Sequence, residues 1–521
     1  PGRRPFFVEG NGIFSLPSPG SIPVSAPQLP YSRRIGRAPQ GSPVYRGGNS
    51  YTDTPQSTTI LGATKLSGRL ANGWSLGLLE AVTDREFATV DSAGVRFRDE
   101  VEPLTNYTVL RAMRDFGKTK AGSSNALGFM GTAVNRRIES PRLDFLRTGA
   151  YAGGMDFSHR FAGSAYMAYG ALAYSRIEGD TLAIQGAQRS SARYYQRPDA
   201  DYVDYDAART SLTGWNGAAG FSKEQGNVTW ATGASATSPG FEINDVGYQS
   251  RADRASVSVS ANRRWTKPST RFRYASVGAG SSMGWNFGGD RVSTSLNAFA
   301  NAVFLNFWTV EGFIGGGPRV LSDGLTRGGP VGMTLAQARG YLYVGSDSRK
   351  SLSAFVNTSA QRMEWGGGSL GISFGVTWRP SATVNLSMAP SYNSLRSPVQ
   401  YVGSRTDATA TATYGKRYLF AQIDQRTLDL TTRLNVTVTP TLSLQLYVQP
   451  FIATGDYGRF KELLAPRTVD YLTYGATSGS VQRDSTDAQG HLLGHTVDPD
   501  GAGPRPSAWI ANPDFTSRSL R

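Results

Sequence analysis

Long runs of alternating apolar and polar residues constrain this chain more than any other feature. From about residue 58 the hydrophobic period is two, and in residues 427–438 Leu428, Leu430 and Leu434 alternate with polar neighbours. Because successive side chains of a strand point to opposite faces, such a run forms a strand with one apolar and one polar face. Similar runs occupy residues 254–265, 291–304, 369–378 and 442–449. The chain is therefore predicted to be all-β.

Three features favour a membrane barrel over a soluble sheet. Twelve strand residues, as in 427–438, at about 3.4 Å each and tilted by about 40°, rise roughly 30 Å, enough for the apolar band of an outer membrane. Tight connections such as Asn72-Gly73 and Pro440-Thr441 alternate with long polar ones. Trp side chains beside tight turns would form an interfacial girdle. The long connections are predicted at residues 178–211, 239–252, 396–424 and 456–512, and the Trp residues are Trp74, Trp265, Trp308 and Trp378.

The predicted fold is a large antiparallel transmembrane β-barrel, with about 18–20 strands in this chain. The last ten residues, NPDFTSRSLR (512–521), are expected to begin a further strand, so the barrel, residues 58–521, would be truncated before its closing strands. Transmembrane helices are excluded, because the chain has no run of about 18 apolar residues. Eighteen strands are predicted to begin near residues 58, 73, 105, 125, 147, 163, 211, 227, 253, 270, 290, 308, 332, 351, 368, 382, 425 and 442.

Charge and cysteine content limit the classes of function. The chain has 54 Lys and Arg against 39 Asp and Glu, a net charge of +15, but the basic residues are spread along the sequence. Nucleic-acid binding, which needs a clustered basic patch, is therefore not expected. Cysteine is absent, so a disulfide, a thiolate nucleophile and a Cys-ligated metal are impossible. Arg side chains that line a wet lumen or rim the membrane explain the positive charge more simply.

Residues 1–57 differ from the rest of the chain, because they are rich in Pro, Gly and Ser and show little periodicity. So much Pro disfavours regular structure, yet aromatic and Arg residues in the segment could anchor it inside a lumen. We expect either an irregular linker or a plug-like segment. The chain begins at Pro1 instead of Met, so a targeting segment is expected upstream.

Few residues could carry catalysis or bind a metal. The three His are His159, beside a tight turn, and His491 and His495, which lie four residues apart. That spacing would place both on one side of a helix, but Gly490 and Gly494 argue against a helix, so a mobile outer loop is expected. We predict no catalytic residue, no cofactor and no metal.

An acidic and aromatic cluster in the connection 178–211 is a possible outer-loop ligand site. Its carboxylates and rings could hold Ca²⁺ or stack on sugar rings, whereas a solvated acidic loop is the simpler interpretation. The cluster consists of Asp199, Asp201, Tyr202, Asp204 and Tyr205. Other polar positions would line the lumen, since barrels of sixteen or more strands leave a space that side chains do not fill. These positions are Arg254, Arg264, Arg291, Asn301, Arg433 and Gln445.

Five segments resemble a family of bacterial outer-membrane β-barrels, a domain of unknown function that usually follows a carbohydrate-binding family 9-like module. They are RRPFFVEGNGIF (3–14), YSRRIGR (31–37), ILGATKLSGRLANGWSLGLLEAVTDRE (60–86), LQLYVQPFIATGDYGRFKELL (444–464) and NPDFTSRSLR (512–521). The resemblance implies that the protein is located in the outer membrane of Gram-negative bacteria. It also implies an upstream β-sandwich that binds glycans. It supplies no catalytic residues.

Three functions remain open at this stage. The first is a conduit for uptake or export of a solute or glycan, with membrane lipid as the surrounding partner. The second is a non-catalytic anchor that displays a carbohydrate-binding module, and the third is an envelope enzyme acting on glycans through a site outside this chain. The sequence decides neither the substrate nor the oligomeric state.

Overall fold

The computed structural model describes residues 5–16, 22–24, 26–44, 47, 50–116 and 125–520. The remaining parts of the predicted irregular segment 1–57 therefore lie outside the described residues. Within these ranges the chain is nearly all β-structure, arranged in antiparallel sheets. None of the helices found there is both long and apolar enough to cross a membrane.

The strands are numbered in chain order. Up to residue 265 they are β1 (Ser50–Asp53), β2 (Ile60–Arg69), β3 (Trp74–Thr83), β4 (Glu86–Ser92), β5 (Val95–Glu102), β6 (Leu104–Phe116), β7 (Asn125–Arg137), β8 (Arg147–Phe161), β9 (Tyr166–Gly179), β10 (Ser211–Lys223), β11 (Val228–Thr237) and β12 (Arg254–Trp265). The α-helices are α1 (Pro5–Val8) and α2 (Thr181–Arg189).

The later strands are β13 (Phe272–Trp285), β14 (Arg291–Phe304), β15 (Thr309–Gly317), β16 (Val320–Ser322), β17 (Gly332–Thr334), β18 (Gln337–Gly345), β19 (Leu352–Met363), β20 (Gly368–Ser381), β21 (Val384–Thr406), β22 (Lys416–Thr439), β23 (Leu442–Val448), β24 (Pro450–Leu463), β25 (Tyr471–Thr473), β26 (Val481–Thr486), β27 (Leu492–Asp498), β28 (Ala508–Ala511) and β29 (Phe515–Leu520).

The chain forms two compact units. Unit 1 comprises Pro1–Gln196, Ala200–Val259 and Gly284–Asp290, and unit 2 comprises Arg197–Asp199, Ser260–Met283 and Arg291–Arg521. In unit 1 an antiparallel sheet runs through β2, β3, β6, β7, β8, β9, β10 and β11. In unit 2 a second antiparallel run follows β14, β15, β18, β19, β20, β21, β22 and β24.

Period-two alternation located the strands of both large sheets well. Most predicted strand starts lie within three residues of an observed start, and the predicted strand near the C-terminus is β29. One start was wrong, because the strand expected near 425 begins at Lys416. A strand does begin at Gly332, as predicted, but it belongs to the two-stranded sheet of β16 and β17, and the large sheet resumes at Gln337.

Two predicted long connections are largely strand. Residues 396–424 were expected to be a loop, but β21 and β22 pair through most of this range. Bulges between Ser397 and Gln400 and between Tyr401 and Gly403 interrupt the alternation there. The period-two pattern therefore did not predict these strands. Residues 456–512 contain the end of β24 and the three-stranded sheet of β26, β27 and β28.

Three further elements were not predicted. Helix α2 lies in the connection 178–211, where Asp180 caps it by accepting a hydrogen bond from the Leu182 N–H at 2.9 Å. Strands β4 and β5 form a hairpin and join β1 in a small sheet. Both residues of its tight turn, Ala93 and Gly94, have positive φ, as a type I′ turn requires.

Several glycines are covered by an aromatic ring from the neighbouring strand. A Cβ at Gly375 would lie 2.0 Å from Phe355 Cε1, and one at Gly170 would lie 2.3 Å from Phe157 Cε1. In both cases the ring belongs to the Cα partner of the glycine. The absent side chain thus makes room for the ring, an arrangement known to stabilise glycine-rich sheets.

We predict that Gly375→Ala destabilises the protein by about 1–3 kcal/mol, because the Phe355 ring must leave its place. In a Phe355→Ala background the same change should cost much less. Urea unfolding of the four variants in detergent micelles gives the coupling energy. Gly131→Ala is the matched control, since a Cβ there would have no atom within 4 Å. Equal losses in the two backgrounds would contradict the ring-on-glycine contact.

Candidate functional site

The two faces of the unit 2 sheet differ in chemistry along adjacent rows of residues. What we call the polar row consists of successive Cα partners Asn301, Glu311, Tyr343, Asn357, Ser373, Ser391 and Asp429. The apolar row lies one residue along each strand and so points to the opposite face. Its members are Ala300, Gly312, Leu342, Thr358, Ile372, Tyr392, Leu428 and Ile452.

Hydrogen bonds link neighbours in the polar row, whereas the apolar row is open to its surroundings. Asn301 Nδ2 donates to Glu311 Oε1 at 3.0 Å, and Ser391 Oγ donates to Asp429 Oδ1 at 2.7 Å. On the other face Leu428 is 54% exposed. The sheet therefore has a hydrophilic face and a face of uncovered hydrocarbon.

Three residues predicted to line a lumen lie on the face of the polar row. Asn301 is a member of that row, and Arg433 is four residues from Asp429 on β22. Gln445 faces the same way, because its Cα partner Asn435 is two residues from Arg433. The Arg433 guanidinium lies 5.2 Å from the centroid of the Tyr447 ring.

The other three predicted residues are Arg254, Arg264 and Arg291. Arg291 is the exposed first residue of β14 and shares the face of Asn301 by alternation. Arg254 and Arg264 lie near opposite ends of β12 and share one face of that strand. Arg254 Nη1 donates to the Asp253 carbonyl at 2.6 Å.

The described residues of 5–44, which we call the N-terminal segment, cover one face of the unit 1 sheet. Its apolar side chains are buried against strand residues in three clusters. Phe7, Phe14 and Ile35 pack with Leu79, Tyr107, Val109 and Val134; Leu16 and Leu29 pack with Met130, Phe241 and Ile243; Ile22 packs with Met167 and Tyr169. This covered face is apolar, unlike the hydrophilic face of unit 2.

Backbone hydrogen bonds join the N-terminal segment to the connection after β11. The Tyr31 N–H donates to the Val246 carbonyl at 2.6 Å, and the Tyr248 N–H donates to the Gln28 carbonyl at 3.0 Å. The Arg34 guanidinium donates through Nε to the Gly247 carbonyl at 3.1 Å. The segment is thus held by main-chain pairing as well as by burial.

That connection is fixed to the strands by buried ion pairs, which we call the latch. Asp245 accepts from Arg136 Nη1 at 2.7 Å and from Arg147 Nη1 at 2.6 Å. Glu242 accepts from Arg193 Nη2 at 2.7 Å and lies 3.5 Å from Arg147 Nη1. The latch therefore couples the ends of β7 and β8 to the loop that pairs with the N-terminal segment.

The two carboxyl groups of the latch, Asp245 and Glu242, have lowered pKa values. Burial alone would raise the pKa of Asp245, but the charges of Arg147 and Arg136 lower this pKa further than burial raises it. Burial likewise raises the pKa of Glu242, and Arg147 and Arg193 reverse that shift. Both groups are therefore carboxylates at any physiological pH.

Sequence analysis missed the latch and a second buried ion pair. Arg111 and Asp156, on β6 and β8, form a two-bond ion pair with Nη1 to Oδ2 at 2.6 Å and Nη2 to Oδ1 at 3.2 Å. Gly128 leaves the space they need, since a Cβ there would lie 2.4 Å from Arg111 Nη2. A single Asp within the apolar run around Asp156 is a signal that could have indicated a buried partner.

The predicted acidic and aromatic cluster is spread over separate contacts. Asp199 accepts from the Val331 N–H at 2.6 Å within unit 2. In unit 1, Tyr202 Oη donates to Asp253 Oδ2 at 2.5 Å and Tyr205 Oη donates to Gln185 Oε1 at 3.2 Å, while Asp201 and Asp204 are exposed. In the part of the chain that the structure describes, no three His, Cys, Asp or Glu side chains group as metal ligands.

The three His have separate partners. His159 Nδ1 is 2.6 Å from Asn125 Oδ1, and His491 Nδ1 is 2.9 Å from Asp487 Oδ2. The expected mobile loop at His495 was wrong, because this residue is buried on β27, with its ring centroid 4.5 Å from that of Phe460.

We predict that Asp245→Asn destabilises unit 1 by about 3–5 kcal/mol, because Arg136 and Arg147 lose their shared counter-charge in a buried place. Protease cleavage within residues 26–44 should become faster. Since the pKa of Asp245 is lowered on folding, its stabilisation is complete above the unfolded pKa of about 4 and is lost as pH falls below that value. Asp91→Asn, at the exposed pair with Arg96, is the control and should change little. Unchanged cleavage in Asp245→Asn would contradict the latch.

The comparisons with known proteins bear on this architecture as follows. Residues 2–473 match the family model described as a domain of unknown function, DUF5916. No curated protein matches the chain in sequence. Among solved structures, the anion-selective porin from Comamonas acidovorans is similar at 9% identity and a TM-score of 0.28, over 63% of this chain and 91% of the porin. A likeness at that level carries no argument about this chain. The match over residues 2–473 identifies the chain as a member of the DUF5916 family.

Proposed function

We propose that the chain is a bacterial outer-membrane β-barrel that serves as a conduit, with the face of the polar row enclosing water. The single observation that carries this proposal is the pairing of the polar row with an exposed apolar row on the same strands. Leu342, Leu428 and Ile452 are each more than two-fifths exposed. A continuous hydrocarbon face of this kind is unfavourable in water and favourable against lipid.

Strand length supports a membrane crossing. About twelve tilted residues rise roughly 30 Å, and β21 and β22 have 23 and 24 residues. The two strands are therefore long enough to cross an apolar band and to extend beyond it on one side. Trp265, Trp308 and Trp378 are exposed and lie beside tight connections, where an interfacial girdle is expected.

The N-terminal segment supports the idea of a restricted conduit. It covers the unit 1 face with apolar side chains of which Leu29 is fully buried. In a barrel this arrangement would close the part of the lumen that the unit 1 face borders. The N-terminal segment would then act as a plug-like constriction.

Two other functions predicted from the sequence involve the same fold. An anchor that displays a glycan-binding module and an enzyme whose site lies outside this chain are both compatible with a barrel, and no contact within the described residues favours either one. The carbohydrate-binding module and the choice of transported solute also stay predictions.

Two adjacent residues of β22, Leu428 and Asp429, allow a test of whether the sheet has one lipid-facing and one water-facing side. We predict that Leu428→Arg impairs insertion, because an Arg that faces lipid costs from about 0–1 kcal/mol near the interface to about 2–4 kcal/mol at the midplane. Asp429→Arg should insert normally and shift ion permeability toward anions, because its side chain faces water. Folding into lipid vesicles and reversal potentials in planar bilayers are the measurements. If both variants insert equally well and neither changes selectivity, the proposed wall is wrong.

A second experiment tests the constriction. Leu29→Asp should release the N-terminal segment and raise the single-channel conductance severalfold, whereas Leu182→Asp, at an exposed position of α2, should not. The chain has no Cys, and a Cβ at Gly233 would lie 2.5 Å from Val24 Cγ1, so Val24→Cys with Gly233→Cys can lock the segment by a disulfide.

In the Leu29→Asp background we expect this disulfide to restore the low conductance and a reductant to abolish the restoration. Either single Cys variant serves as the control. A conductance that stays the same in Leu29→Asp, while protease reaches residues 26–44, would show that the segment does not restrict the conduit.

A further inference from the structure

A polar cavity in unit 2 is separate from the polar row and from the N-terminal segment. Its volume is about 850 Å³, within the roughly 300–1,000 Å³ typical of small-molecule sites. The side chains that could contact a ligand there are Trp365, Gln422, Arg459, Lys461, Tyr471 and Gln482. Lys461 lies about twenty residues beyond the tight turn before Leu442, whereas roughly twelve residues are enough to cross an apolar band. In the proposed barrel Lys461 therefore lies outside that band.

Two bulky residues of the cavity wall have unfavourable backbone conformations. Trp365 has φ 58° and ψ 29°, and Arg459 has φ 50°. Left-handed backbone at a bulky side chain is a genuine outlier that persists only where the surroundings enforce it, and such residues concentrate at ligand sites. Arg459 lies in a β-bulge of β24, Trp365 lies in the turn between β19 and β20, and both residues line the one cavity.

The cations of the cavity have no anionic partner among the described residues. Lys461 Nζ is buried and donates to the Pro398 carbonyl at 3.0 Å, and it lies 5.7 Å from the Trp365 ring centroid. Burial, followed by the charge of Arg459, lowers the pKa of Lys461. Two neighbouring cations without an anionic partner provide a favourable place for an anion. The only carboxylate in the wall, Asp484, is already paired with His495 Nδ1 at 2.7 Å.

The remaining wall offers an aromatic surface and unused hydrogen-bonding groups. Trp365 and Tyr471 are in edge contact with ring centroids 5.8 Å apart, and Tyr471 Oη is buried without a partner among the described residues. A buried hydroxyl left unsatisfied is unfavourable, so a ligand that bonds it is favoured. Behind this wall Tyr474 Oη donates to Glu462 Oε2 at 2.6 Å, and Glu462 also accepts from Arg505 Nη2 at 2.6 Å, which fixes the rear of the cavity.

We propose that this cavity binds an acidic sugar residue, with the ring against Trp365, the carboxylate between Arg459 and Lys461, and ring hydroxyls bonded by Tyr471, Gln422 and Gln482. A rigid aromatic face suits the apolar face of a sugar ring, the amides and the phenol suit its hydroxyls, and the paired cations distinguish an acidic sugar from a neutral one. The site needs no open conduit, so its failure and the failure of the proposed function are separable.

Calorimetric titration of the full chain in detergent micelles tests the proposal, with a galacturonic acid trimer, the neutral galactose trimer and inorganic phosphate as probes. We expect the acidic trimer to bind at least about tenfold more tightly than the neutral one, because it forms charge-assisted hydrogen bonds. Arg459→Gln should remove most of that preference. The matched control is Arg483→Gln, because Arg483 lies between wall residues Gln482 and Asp484 and points to the other face of β26.

A second variant separates stacking from charge. Trp365→Gly relieves the strained backbone and removes the ring, so it should weaken the acidic trimer while the protein remains as stable as before or more so. Equal binding of the neutral and acidic trimers, unchanged binding in Arg459→Gln, or displacement of the trimer by phosphate at equal concentration would each overturn the proposal. The last of these would identify a simple anion site.

Discussion

The alternation of side chains across long antiparallel strands is the constraint on which the rest of this structure depends. Each strand residue faces one of the two sides of its sheet. The two units differ in the residues on the side opposite the exposed hydrocarbon. In unit 2 the face opposite the exposed hydrocarbon is hydrophilic, as the row from Asn301 to Asp429 shows. In unit 1 that face carries Tyr107, Val109 and Val134, and the N-terminal segment covers it. A strand can carry apolar residues on both faces only where something covers the second face.

This difference between the two units explains which strands could be predicted from the sequence. Strands whose second face is hydrophilic alternate cleanly, and the clearest predicted runs, such as 369–378 and 427–438, belong to unit 2. Bulges defeat the same method, since the shifts near Ser397 and Tyr401 break the period and made paired strand resemble a loop. The short helix α2 was missed for a different reason. The capping residue Asp180 was a local signal for its start, but its nine residues gain most of their stability from burying Ile184 and Ala187 in unit 1, which depends on tertiary packing.

The candidate site was predictable in part. Alternation assigned Asn301, Arg433 and Gln445 to the polar faces of their strands, and the strand registers put these faces on one side of the unit 2 sheet. That they line a lumen stays a prediction. The latch depends on partners that are far apart in the chain, Arg136, Arg147 and Asp245, and each of these alone looks like an ordinary surface charge. The residues of the predicted acidic and aromatic cluster present the opposite case, since they are close in sequence but have separate contacts. Closeness in sequence suggested a shared ligand, but turns send Tyr202 and Tyr205 to different acceptors.

The free energy that holds the N-terminal segment against unit 1 determines whether the segment can be released. Fully burying one large apolar side chain stabilises by about 1.5–3 kcal/mol, so six buried anchors from Phe7 to Ile35 together contribute on the order of 10 kcal/mol. Ordering the backbone costs about 1–2 kcal/mol per residue, so this burial is offset by an entropy cost of similar or larger size. The net free energy that holds the segment is therefore small enough for the loss of one anchor, such as Leu29, to release it. Ion pairs at Asp245 add to that hold without supplying a switch, because their carboxylates stay ionised at physiological pH. In the proposed conduit, a change of pH within the physiological range would therefore leave the segment in place, whereas weakening its apolar anchors would release it.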